Sequence, residues 1–130
     1  MQLSHTPAAL SVVFDEPNLV ASGGLVPALA LAERAGLGRL AEEWLTVPGA
    51  AGTAGAKLTT LVGGMLAGAD SIDDLDLLRH GGMGHLFGGV RAPSTIGVFL
   101  RALTFGHLRQ LDAVAAREHP DRRAGAGARR

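Results

Sequence analysis

The chain has 130 residues, 47% hydrophobic and 4% aromatic, which suits one modest core with tails rather than two domains. It contains no cysteine, so disulfides, thiolate metal sites and cysteine nucleophiles are excluded. Twelve basic residues balance twelve acidic ones, but unevenly: up to Leu78 three bases face nine acids, a net of −6, and from Arg79 onward nine bases face three acids, a net of +6. Such asymmetry points to an anionic partner for the second half, with solvated helix faces as the alternative origin. The excess of arginine over lysine carries little weight, because a GC-rich coding sequence produces the same bias. No basic stretch followed by an apolar run follows Met1, and no window approaches the roughly 20 apolar residues of a membrane helix. A soluble, cytoplasmic protein without membrane contact is therefore expected.

Residues Leu10 to Val20, LSVVFDEPNLV, combine a β-prone run with a polar turn at Glu16-Pro17-Asn18, and they predict a short extended N-terminal arm over 1–22. Strands in a small helical protein have no sheet to join, so this segment is expected either to pack as an extended arm or to pair with something absent from this chain. Beyond Gly23-Gly24, the apolar positions Leu25, Leu29, Ala32 and Leu37, Leu40, Trp44 predict two short helices parted near Gly36-Leu37-Gly38. Pro27 is tolerated in a first turn. The chargeless stretch 48–55, PGAAGTAG, reads as a surface loop. Leu58, Leu61, Val62, Met65 and Leu66 then predict a central buried helix, with Gly63, Gly64 and Gly68 admitting a close neighbour. Asp70-Ser71 starts the next helix, turning Ile72, Leu75 and Leu78 inward and ending at His80. A helical turn over Met83 to Gly88 precedes two helices, Ser94 to Phe105 and His107 to about Arg117, separated or kinked at Gly106. The segment 118–130 lacks apolar periodicity and reads as a disordered basic tail. The expected fold is a small all-α, multi-helix domain over 23–117 with a helix-turn-helix-like C-terminal half.

No constellation here rises to an enzyme site. Asp70, Asp73, Asp74 and Asp76 suit helix-end capping better than a divalent cation, because Asp76 points away from the others and no EF-hand glycine or closing glutamate follows. His80, His85 and His107 lack zinc-ligand spacing. Gly81-Gly82-Met83-Gly84 has neither the preceding strand nor the Gly-Lys-Ser of a phosphate loop, and Ser71 or Ser94 could pair with a histidine only through unseen geometry. No cofactor or metal is expected.

The stretch 91–114, RAPSTIGVFLRALTFGHLRQLDAV, carries the sharpest functional signal. Pro93 breaks any preceding helix, Ser94 or Thr95 can cap a new one, and Ile96, Phe99, Leu100 and Leu103 recur at helical spacing. A capped helix after a tight turn, with cations on its outer face, is how helix-turn-helix modules reach a DNA groove. In that reading Arg91 and Arg101 meet phosphates, with Ser94, Thr95, His107, Arg109 and Gln110 close by and Thr95, Arg109 and Gln110 nearest the groove. The alternative is that these side chains merely solvate outward faces.

Three ordered strings, FDEPNLVASGGLVPALALAERAGL, KLTTLVGGMLAGADSIDDLDLLRHGGM and APSTIGVFLRALTFGHLRQLDAV, resemble the amino-terminal region of bacterial insertion-sequence transposases with a DDE catalytic domain, the group-one family of the IS-thirteen-eighty type. The resemblance runs from about Val12 to Ala116. It implies a helical region that engages the element's ends and precedes an RNase H-like domain with three metal-binding carboxylates. That triad has no counterpart here, and Asp70, Asp73, Asp74 and Asp76 lie upstream of where it would fall. After about Arg117 the sequence leaves the family pattern, as a shifted or shortened reading frame does. The resemblance thus implies a non-catalytic transposase fragment whose partner is the DNA of transposon terminal repeats. A helical module that dimerises or docks on a full-length transposase, and a decayed remnant without activity, remain the alternatives.

Overall fold

The computed structural model describes residues 16–118. The described part is all-α, with no strand among the described residues. Its elements are α1 (Leu25–Ala35), α2 (Leu37–Trp44), α3 (Ala54–Leu66), a 3₁₀-helix (Asp73–Leu78), the single turn α4 (Met83–Leu86), α5 (Pro93–Arg101) and α6 (Phe105–Glu118). Most of the expected arm and nearly all of the expected tail lie outside the described residues, and Glu118 is the last residue of α6.

The break between α1 and α2 rests on one residue. Gly36 has φ +91°, a left-handed conformation that side chains resist, and its N–H closes α1 on the Glu33 carbonyl at 2.9 Å. Its own carbonyl then accepts from the Leu40 N–H at 2.8 Å, opening α2. Helix α2 lies so close to α3 that a Cβ on Gly55 would sit 2.5 Å from the Gly38 carbonyl oxygen. The approach is held by charge as well, since the Glu42 carboxylate accepts from the Gly55 N–H at 2.7 Å and so caps the start of α3 from another helix.

Burial divides into three neighbouring clusters. Leu37, Leu40 and Ala41 of α2 meet Leu58 of α3 and Val114 of α6. Leu45, Val47, Ala50 and Ala54 close over Phe99 of α5. Leu25, Leu78 and Met83 form the third, with Val20 and Phe87 packed against it. Leu111 of α6 touches the first two clusters and joins them.

Several expectations are corrected by this packing. The stretch 48–55 is not simply a surface loop, because Ala50 and Ala54 are buried and roof the pocket of Phe99. Helix α3 is central over Leu58 to Gly64, but Met65 and Leu66 are exposed where it passes the edge of the core. Gly64 does admit a neighbour: a Cβ there would collide with Leu75 Cδ2. The aspartate-rich segment forms a 3₁₀-helix starting at Asp73 rather than an α-helix from Asp70. Ser71 and Asp74 bond each other across its start, the Ser71 N–H and hydroxyl each donating to Asp74 Oδ2 at 2.9 Å and the Asp74 N–H donating to Ser71 Oγ at 3.4 Å. These bonds, the Ser71 hydroxyl first and then the Ser71 and Asp70 N–H groups, hold the Asp74 carboxyl below its ordinary value. Asp76 instead pairs with Arg79 at 3.0 Å. The β-prone run before Glu16 lies outside the described residues, and the described end of the arm packs on the chain, the Gly82 N–H donating to the Leu19 carbonyl at 2.9 Å.

Candidate nucleic-acid interface

The turn-helix pair is present, but built differently from the expected one. Ser94 and Thr95 do not cap α5: the N-cap is Ala92, in an extended conformation, and Pro93 takes the first helical position, where its missing N–H costs nothing. The capped helix is α6. The His107 ring accepts the Thr104 N–H on Nδ1 at 2.9 Å, as a glutamate does in a capping box, and the same nitrogen lies 3.1 Å from the Thr104 hydroxyl. The break falls at Ala102 to Thr104, and Gly106 lies inside the first turn of α6 rather than between the helices. The helices are braced separately, α5 chiefly on α3 and the 3₁₀-helix, α6 chiefly on α2.

Arg91 is half-buried, with its N–H donating to the Thr60 hydroxyl at 3.1 Å and its Nε buried without a hydrogen-bond partner among the described residues. Thr60 is itself buried, and its hydroxyl donates to the Ala56 carbonyl at 2.8 Å, so one side chain ties the approach to α5 onto α3. Ser94 is exposed and Thr95 half-buried on the first turn of α5. Arg101 is exposed and folds back along α5, its Nη1 3.5 Å from where a Gly97 Cβ would stand. Arg91 precedes α5, and the other three lie on it.

The three candidates on α6 do not join them as a set. Gln110 is taken up internally: its Oε1 accepts the Thr46 N–H at 2.9 Å and its Nε2 donates to the Thr46 hydroxyl at 2.8 Å, clamping α6 to the end of α2. Gln110 thus makes a fold contact that uses one N–H and one oxygen lone pair of its amide. His107 Nδ1 is likewise committed to the cap. Arg109 is exposed, its guanidinium 5.3 Å from the centroid of the Phe105 ring. Phe105 itself is 71% exposed, the most exposed large apolar side chain among the described residues.

Four other cations are occupied. Arg39 pairs with Glu43 at 3.3 Å and Arg79 with Asp76, while Lys57 donates to the Gly49 carbonyl at 3.2 Å. Arg117 lies 3.7 Å from the Trp44 ring centroid and donates to the Ala113 carbonyl at 2.8 Å. Among the described residues, the cationic side chains with neither an ion pair nor a hydrogen bond are Arg34, Arg91, Arg101 and Arg109, and three of the four fall between 91 and 109. One cleft, about 530 Å³ between α1, α3 and the 86–90 turn, is lined by Leu29, Phe87 and Val90 together with Glu33 and Glu42. Its lining contains no cation, so it repels phosphate rather than attracting it.

Fold and surface define a small all-α domain in which two of the four uncommitted arginines bracket α5, Arg91 just before it and Arg101 at its last residue, while Arg109 lies on α6 and Arg34 on α1. Compared with known proteins, the chain matches no family model, no curated protein and no solved structure. No helix among the described residues is long and apolar enough to cross a membrane.

Proposed function

We propose that the chain binds DNA as the end-recognising, non-catalytic part of a DDE transposase. The observation that carries this reading is the set of uncommitted arginines around α5, in the half of the sequence whose net charge is +6. Arg91 and Arg101 neutralise phosphates on either side of α5, and the hydroxyls of Ser94 and Thr95 hydrogen-bond the same backbone. The resemblance supplies the kind of DNA, the terminal repeats of the element, and transposase itself as a further partner. Arg109 belongs to a different exposed face, that of α6. Gln110 and His107 position α6 and are outside the DNA-contacting set.

The test is fluorescence anisotropy of a labelled duplex titrated with the chain and with Arg101→Ala. Each phosphate contact adds about 0.9 to the slope of log affinity against log salt, so the substitution lowers that slope by about one while far-UV circular dichroism stays unchanged. An unchanged affinity and slope would remove α5 from the interface.

A further inference from the structure

Helix α6 buries one side and exposes the other. Val114 lies in the core, and opposite it Phe105, Leu108, Arg109, Asp112, Ala115 and Ala116 are all exposed. At 100° per residue these six fall within an arc of about 120° centred away from Val114, so they form one continuous face. Phe105 is 71% and Leu108 51% exposed, and both stand on this face. Arg109 and Asp112 stand one turn apart on this face, yet they make no ion pair with each other or with any other described residue.

The order of these residues is self-complementary. A two-fold axis across α6 midway between Gln110 and Leu111 brings two antiparallel copies together with Phe105 level with Ala116 of the second copy. The same axis sets Arg109 level with the second copy's Asp112. The largest side chain thus meets one of the smallest, and each cation meets an anion, twice over by symmetry. An isologous contact is self-complementary in this way, residue i meeting j and j meeting i. A duplex is a poorer occupant, because Asp112 and two alanines offer phosphate nothing, while Phe105 and Leu108 would be covered by a polar backbone.

From this we infer that the outer face of α6 is a homodimer interface, α6 packing antiparallel on α6 of a second copy of this chain. Phe105 is its anchor, and the two Arg109–Asp112 pairs set its register. The inference does not rest on the DNA reading, since the α5 arginines lie on another helix.

The experiment is sedimentation equilibrium of the full chain over a concentration series, for the wild type, Phe105→Glu, Arg109→Asp and the double exchange Arg109→Asp with Asp112→Arg. Glutamate in the first turn of a helix is favourable, so Phe105→Glu removes the anchor while leaving α6 intact, which far-UV circular dichroism checks. The wild type passes from one to two chain masses as concentration rises, and Phe105→Glu stays at one. Arg109→Asp sets like charges face to face and weakens the dimer by about tenfold or more. The double exchange restores it to within about threefold of wild type. The inference is overturned by a wild-type chain that remains monomeric up to about 1 mM. Dimerisation indifferent to Phe105→Glu, or a double exchange no better than the single one, overturns it equally. So does a monomeric chain whose duplex binding is lost with Phe105→Glu, since the face then belongs to DNA.

Discussion

Replacing Gly55 by alanine drives α2 away from α3. The new Cβ would lie 2.5 Å from the Gly38 carbonyl oxygen and 3.1 Å from the Gly38 carbonyl carbon and Cα. All three are backbone atoms, so no rotamer change relieves the clash, and the helices must separate by about 0.7–1 Å to restore ordinary contact. That displacement lengthens the 2.7 Å bond from the Gly55 N–H to the Glu42 carboxylate and loosens Leu37, Leu40 and Ala41 against Leu58. Overpacking of this kind costs about 1–3 kcal/mol, and the better helix propensity of alanine returns at most about 1 kcal/mol. The net loss is about 1–2 kcal/mol, or a fall in Tm of about 5–10 °C for a domain of this size. Urea unfolding followed by the fluorescence of Trp44, the single tryptophan, measures it directly. Gly106→Ala is the matched control, because the nearest atom to its Cβ is Thr104 Oγ1 at 3.7 Å and the residue is exposed in the first turn of α6. It should hold or raise stability. A Gly55→Ala chain as stable as Gly106→Ala would refute the close α2–α3 approach as a determinant of the fold.

Gln110→Ala removes both bonds to Thr46 and lowers stability by about 1 kcal/mol, read from urea unfolding, while duplex affinity changes less than about twofold; a large loss of affinity at unchanged stability would return Gln110 to the interface. Asp74→Asn mimics the protonated cap. The folded carboxyl titrates below the ordinary value of 3.8, so its contribution is present in full above that value and is lost as the pH falls through the lower folded value. The wild type is therefore the more stable of the two at pH 7, and the gap closes below about pH 3.8 as Asp74 takes up its proton. A gap that is constant from pH 7 to pH 2.5 would show that Asp74 acts through something other than its charge.

Much of the helical outline was legible because it depends on local signals. The Gly36 break, the turn at Met83 and the two helices after Pro93 follow from glycine conformational freedom, proline geometry and the spacing of apolar residues. The errors fall where a partner distant in sequence decides the outcome. Glu42 caps α3 across the α2–α3 contact, so the first turn of that helix looks uncapped when read locally and 48–55 looks like an exposed loop. Thr60 was hidden in the same way, since the segment it holds lies 31 residues further along. Gln110 reads as a polar residue on a cationic helix, and nothing within a few residues of it reveals Thr46 as its partner, 64 residues earlier. At α5 the proline outweighed the hydroxyls: with Pro93 in the first position, Ser94 and Thr95 are already inside the helix and cannot cap it. The exposed face of α6 could have been found from the spacing of Phe105, Leu108, Arg109, Asp112 and Ala116, had that stripe been read as a surface rather than as part of a reading helix.

Binding to DNA ends is tested most directly by competition at matched salt between a terminal-repeat duplex and a scrambled duplex of equal length and composition, for a chain shown to be folded by circular dichroism. The account predicts salt-sensitive binding that favours the terminal repeat by at least about tenfold, lost in parallel on both duplexes when Arg91 and Arg101 are replaced. Equal affinity for the two duplexes, or no binding at low salt by the folded chain, would contradict it.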